Sequence, residues 1–143
     1  MDKRKESSGY CKAVTAFIAC SKTKKSYSCK ARDLYQGALF KKALVFAERN
    51  YKHVFILSAN YGVVELDRVI APYEKTLKNM TKGERQAWYN LVKIQMRKLT
   101  TPFVFFTGEL YHFPFNGYKP LTGLSLGRQL KWFNNKSRPK GIL

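Results

Sequence analysis

Three short, nearly continuous apolar runs, at residues 13–20, 53–59 and 103–108, constrain what this chain can fold into more than any other feature. A strand that is apolar at every position, not at every second one, is covered on both faces, and that is the pattern of a parallel sheet between layers of helix. The segment between the first two runs has the complementary period. Leu39, Ala43, Phe46 and Ala47 are spaced for one face of a helix that starts near Arg32 or Asp33 and ends near Asn50. A second helix is predicted over 81–100. Thr81 and Glu84 have capping-box spacing, and Trp88, Leu91, Val92, Gln95, Met96 and Leu99 mark its inner face. Pro102 stops it, and residues 127–134 read as a last amphipathic helix with Leu130 and Phe133 inward. Strand, helix, strand with short connections is a βαβ unit. The expected fold is therefore a single three-layer α/β domain with a mainly parallel central sheet and helices on both faces.

This domain is expected over residues 13–135, between a flexible basic arm at 1–12 and a basic tail at 136–143. A composition 45% hydrophobic and 15% aromatic suits a packed core. The irregular stretch 61–79 reads as a working loop in which only Val69 and Ile70 look able to pair with another strand. No run approaches the roughly 18 apolar residues of a membrane span, and residues 1–6 do not lead into an apolar signal segment, so a cytoplasmic protein without membrane partners is expected. Cys11, Cys20 and Cys29 are odd in number and form no CxxC pair, and His53 and His112 lie far from them; neither a metal site nor a cofactor is expected.

Charge narrows the partner. The chain carries 27 Lys and Arg against 9 Asp and Glu, a net +18, and such a surplus repels itself unless an anionic partner offsets it. It is clustered: nine basic residues fall between Lys3 and Arg32, and no acid follows Glu109. With aromatics interleaved, the clustering favours a nucleic-acid partner, expected to be DNA more than RNA, over the plainer reading of general solubility or an acid-poor proteome.

In parallel α/β sheets ligands bind outside the carboxyl ends of the strands. The first strand ends in Cys20, Ser21, Lys22, Thr23 and Lys24, whose hydroxyls and ammonium groups suit phosphate. This is not a Walker loop, because the GxxxxGK[ST] spacing is absent. Cys20 reads as a core residue closing a strand, with a nucleophile as the sharper alternative. The second strand ends in Ser58, Ala59, Asn60, Tyr61 and Gly62, where Asn60 offers an amide to a base edge and Tyr61 a ring for stacking; a plain turn with Tyr61 capping the core is the equal alternative. Arg32, Tyr73 and Arg128 complete the expected nucleic-acid contacts. Carboxylates are scarce, and a base–sugar bond can be hydrolysed with one that orients water. Asp33 and Glu74 are the catalytic candidates, with a helix cap or a pairing with Arg32 as the structural alternative for Asp33.

The motifs Cys20-Ser21-Lys22-x-Lys24, Ala31-Arg32-Asp33-Leu34-Tyr35, Leu57-Ser58-Ala59-x-Tyr61-Gly62 and Pro72-Tyr73-Glu74-x-Thr76-Leu77 resemble a group of small bacterial and phage proteins of uncharacterised function. The closing segment, Leu124-Ser125-Leu126-Gly127-Arg128, is similar to theirs as well. The strand end also resembles domains of archaeal tRNA-deazaguanine modifying enzymes and of YaaA-like DNA-binding proteins, some similar in fold to uracil-DNA glycosylases. The resemblance implies a nucleic-acid site at this rim. Where those glycosylases carry Gly-Gln-Asp-Pro-Tyr, this chain has Cys-Ser-Lys-Thr-Lys, so any carboxylate must come from Asp33 or a later acid. The two functions expected are a glycosylase-like enzyme that cleaves the base–sugar bond of a nucleic acid, and a noncatalytic DNA or RNA binder that uses the same rim.

Overall fold

The computed structural model describes the backbone of residues 11–136 and side chains from residue 14 onward. Residues 1–10 of the expected basic arm and all but the first residue of the expected tail lie outside the described residues; Cys11 and Lys12, expected in the arm, instead open the first strand. Strand β1 (Cys11–Ala19) is central, with β3 (Tyr51–Ser58) on one side and β6 (Phe103–Phe106) on the other, both parallel to it. These are the three apolar runs, and burial on alternate faces explains why apolar residues predominate at successive positions. Ala16, Ile18, Val54, Ile56, Val104 and Phe106 bury on one face, and Phe17, Leu57 and Phe105 on the other.

The central sheet is mixed: its three apolar strands are parallel, as expected, and a fourth runs antiparallel at one edge. The stretch expected to be irregular contributes β4 (Gly62–Glu65), antiparallel to β3, so the order is β4-β3-β1-β6. It also holds β5 (Val69–Ile70), paired antiparallel with β2 (Cys29–Lys30) in a separate two-stranded ribbon. A tight turn makes β4: Gly62 sits at φ +75, and Gln95 accepts from Val63 N at 2.7 Å and donates to Tyr61 O at 3.2 Å.

The first helix is also divided. Helix α1 (Ala31–Leu34) stops at Tyr35, and α2 (Ala38–Asn50) restarts behind Gly37. Between them the chain is extended against residues 23–25, with Gln36 N on Thr23 O at 2.8 Å and Lys25 N on Leu34 O at 2.9 Å. Asp33 therefore lies within α1, not at a cap. Helix α3 (Lys82–Met96) carries the capping box at Thr81 and Glu84, and buries Trp88, Tyr89, Val92 and Met96; Leu91, expected inside, faces out at 41% exposure. After β6 come the short α4 (Glu109–His112) and α5 (Leu126–Lys136), which buries Phe133.

The layers follow from these faces. Helices α2 and α5 cover the face of Ile18 and Phe106, and α3 covers the face of Phe17 and Phe105. The connection leaving β1 thus crosses one face towards β3, while the connection entering β6 crosses the other. Among the described residues no helix is long and apolar enough to cross a membrane.

Candidate functional site

Opposite crossovers on either side of β1 leave a crevice at the carboxyl ends of β1 and β6, the switch point at which open α/β sheets bind ligands. A cavity of about 340 Å³ opens there. Cys20, Ser21 and Lys22 form one wall, Thr107 and Gly108 another, and the first turn of α2 a third. Its floor is apolar, made by Phe40, Ala43 and Phe106, and Leu126 stands at its lip, 62% exposed. Ser21 is fixed in place: its hydroxyl donates to Thr23 O at 2.9 Å and accepts from Gly37 N at 3.1 Å. Gly37 is required by this approach, since a Cβ there would lie 2.9 Å from Ser21 Cβ.

Beside the cavity runs a groove of about 370 Å³ between Lys22, Lys24 and Lys25 on one bank and Pro72, Tyr73 and Glu74 on the other. It continues into a smaller recess that adds Lys75, Thr76 and Asn79. Lys22 borders cavity, groove and recess alike.

A buried hydroxyl chain supports the groove. Tyr73 Oη lies 2.7 Å from Tyr35 Oη and 2.8 Å from Ser58 Oγ, and Ser58 Oγ accepts from Asn60 N and Tyr61 N at 3.2 and 3.1 Å. Trp88 Nε1 holds Ser58 O from the layer behind at 2.8 Å. Lys24 rides on the Tyr73 ring with Nζ 4.4 Å from its centroid, and donates to Lys22 O at 3.1 Å. Burial pulls the Lys24 ammonium below the ordinary lysine range, and the neighbouring Cys20 and Glu74 pull it back up. Cys20 Sγ lies 3.3 Å from Tyr111 Oη. Burial pushes Tyr35, Tyr73 and Tyr111 well above the usual tyrosine range, so all three stay neutral and can donate or accept hydrogen bonds but do not ionise near neutral pH.

The structure brings together Ser21, Lys22, Lys24, Tyr73 and Glu74 of the residues expected at the site. Ser58 is fully buried and positions Tyr73 from below. Asn60 is exposed at the turn after β3 and borders neither cavity nor groove. Tyr61 packs edge-on against Tyr73 at 5.6 Å, with Arg68 5.3 Å over its ring, and borders neither as well. Arg32 is committed elsewhere: it reaches both oxygens of Glu48 at 3.0 and 2.8 Å and Asp67 at 2.9 Å, which raises its pKa, the Glu48 bond most. Asp33 and Arg128 are exposed and border neither concavity.

A family model describing a family of unknown function, DUF6884, matches residues 15–135. The chain belongs to this family. The matched segment spans every residue of the cavity, groove and hydroxyl chain in this DUF6884 protein. No curated protein and no solved structure matches it.

Sequence reasoning missed Tyr35, Gly37 and Trp88 as parts of this DUF6884 site. Gly37 carried a readable signal, a glycine directly before an apolar period. Trp88 was read as core, which it is, but its N–H has a second task that no local pattern reveals.

Proposed function

We propose that this chain binds nucleic acid and seats the phosphate backbone in the groove between Lys22, Lys24 and Lys25 and the Tyr73-Glu74 segment. One observation carries the reading: three lysines converge on a groove braced by a buried hydroxyl chain, in a protein of net charge +18. Ammonium groups on a rigid bank position a phosphate strand without reading its bases. The resemblance of the strand-end motifs to DNA-binding and glycosylase-like domains supports the same reading.

Cleavage of a base–sugar bond has one foothold, since Glu74 is the carboxylate among the residues that border the groove. Two substitutions separate binding from cleavage. Lys22→Gln is expected to weaken binding of labelled DNA about tenfold at low salt, the worth of one charge-assisted contact, without moving the melting temperature. Glu74→Gln is expected to tighten binding, because it removes a negative charge from a phosphate path. Base release by the wild type that Glu74→Gln abolishes would establish the enzyme; binding to DNA and RNA untouched by Lys22→Gln would overturn the groove.

A further inference from the structure

The groove explains attraction to phosphate but leaves the cavity beside it without a task. We infer that the cavity between the ends of β1 and β6 receives the nucleobase of a nucleotide whose phosphate Lys22 holds at the mouth. This rests on the proposed groove for its setting, although the cavity can be tested separately.

Four observations converge on it. The cavity lies at the topological switch point of the sheet, which is defined by the crossovers and independent of any charge. Its volume of about 340 Å³ is at the low end of the roughly 300–1,000 Å³ typical of small-molecule pockets, suited to one base and its sugar and too small for a longer ligand. Its chemistry is divided as a nucleotide is divided. Phe40, Ala43, Phe106 and Leu130 offer apolar surface to a flat ring, while Ser21 and Thr23 on one wall and Thr107 on another add polar residues to the lining for ring and sugar heteroatoms. Finally, Lys22 belongs to both concavities, so a strand lying in the groove passes the cavity mouth.

Thr107 is nearly fully buried, and its Oγ1 lies 2.9 Å from His112 Nδ1, which fixes its direction. The lip is equally specific. Leu126 is 62% exposed at the start of α5, and a base entering the cavity covers it. Burying apolar surface of this kind is what makes a base in the cavity more stable than a base left in water.

A nucleotide reaches such a cavity from two sources, a free mononucleotide or a base turned out of a strand, and the experiment separates them. The full-length protein is titrated with nucleoside 5′-monophosphates, with inorganic phosphate, and with two single strands of about twelve units, within the site size of strand-binding domains. One strand is wholly abasic and the other carries a single central base. The base-bearing strand is expected to bind about tenfold tighter than the abasic one. Ala38→Trp fills the mouth from an exposed position at the start of α2 and is expected to erase that difference while leaving abasic affinity intact; Ala43→Leu fills the floor and should act alike. Equal affinity for the two strands together with no binding of the monophosphates, or a difference that survives Ala38→Trp in protein with a wild-type melting curve, would overturn the inference. Inorganic phosphate competing as well as the monophosphates would overturn it too, by reducing the cavity to an anion site. If mononucleotides bind and Ala38→Trp blocks them while neither strand binds, the cavity assignment stands with a free nucleotide as ligand, and the groove reading fails by itself.

Discussion

Tyr73 joins the buried hydroxyl chain to the groove within one side chain. Its hydroxyl is buried between Tyr35 and Ser58, and its ring carries the Lys24 ammonium at the groove. Tyr73→Phe separates the two roles. Deleting the hydroxyl leaves Tyr35 Oη, on a fully buried residue, short of a partner, at a cost of about 1–3 kcal/mol. The ring remains, so DNA affinity is expected to stay within about twofold of wild type, since a neutral ring offers the ammonium nearly the same face. Urea denaturation and a binding titration on the same preparation check both halves; an unchanged urea midpoint would show that the hydroxyl chain does not stabilise the rim. Arg32 shows the converse case. As a sequence feature it is one more cation near a basic strand end, yet Glu48 and Asp67 lie 16 and 35 residues away and claim its guanidinium. Pairing over such distances leaves no local trace, which is why Arg32 was expected at the phosphate and is found bound to carboxylates.

At the scale of elements, legibility followed burial. Strands β1, β3 and β6 are covered on both faces, so each appears in the sequence as a nearly continuous apolar run, and the Thr81 cap with Glu84 announces α3 because both partners are local. Strand β4 is different: four residues at a sheet edge, started by a left-handed glycine and registered by a side chain from another element. Val63 and Val64 suit a strand but are too few to mark one, and the turn that starts it is held by Gln95 from outside the segment. Gly62→Ala tests that dependence. At φ +75 a Cβ is strained, and it would stand 2.3 Å from Gln95 Oε1, displacing the amide from Val63 N and Tyr61 O. The expected loss is about 1–3 kcal/mol, from backbone strain together with the two freed backbone groups. Gln95→Ala should be destabilising for the second reason alone, so the double variant should fall short of the sum of the two losses; full additivity would mean that turn and amide are independent. The division of α1 from α2 has the same origin, since the break at 35–37 is held by residues 23–25, outside the helical period that sequence analysis followed.

For the whole molecule the decisive quantity is charge, and salt dependence measures how it is used. A polyanion that releases counterions on binding gives log affinity linear in log salt, with a slope of about −0.9 per neutralised phosphate on duplex DNA and about −0.7 on single strands. With a net charge of +18, we expect on the order of six phosphate contacts, and hence an affinity loss near a thousandfold between about 50 and 200 mM salt. The groove supplies a defined share of that slope. Replacing Lys22, Lys24 and Lys25 together by Gln should flatten it by about two to three units on duplex DNA if each touches one phosphate. Deleting residues 1–8 removes Lys3, Arg4 and Lys5 and should flatten it by a similar amount if the arm also follows the backbone. Neither change should alter preference among sequences, because phosphate contacts carry no base information, whereas filling the cavity with Ala38→Trp should alter the response to bases and leave the slope alone. The two parts of the rim are thus separable by one titration series. A triple lysine variant that keeps the wild-type slope would move the phosphate path off this groove, and a slope near zero in the wild type would mean that the charge serves a partner other than nucleic acid.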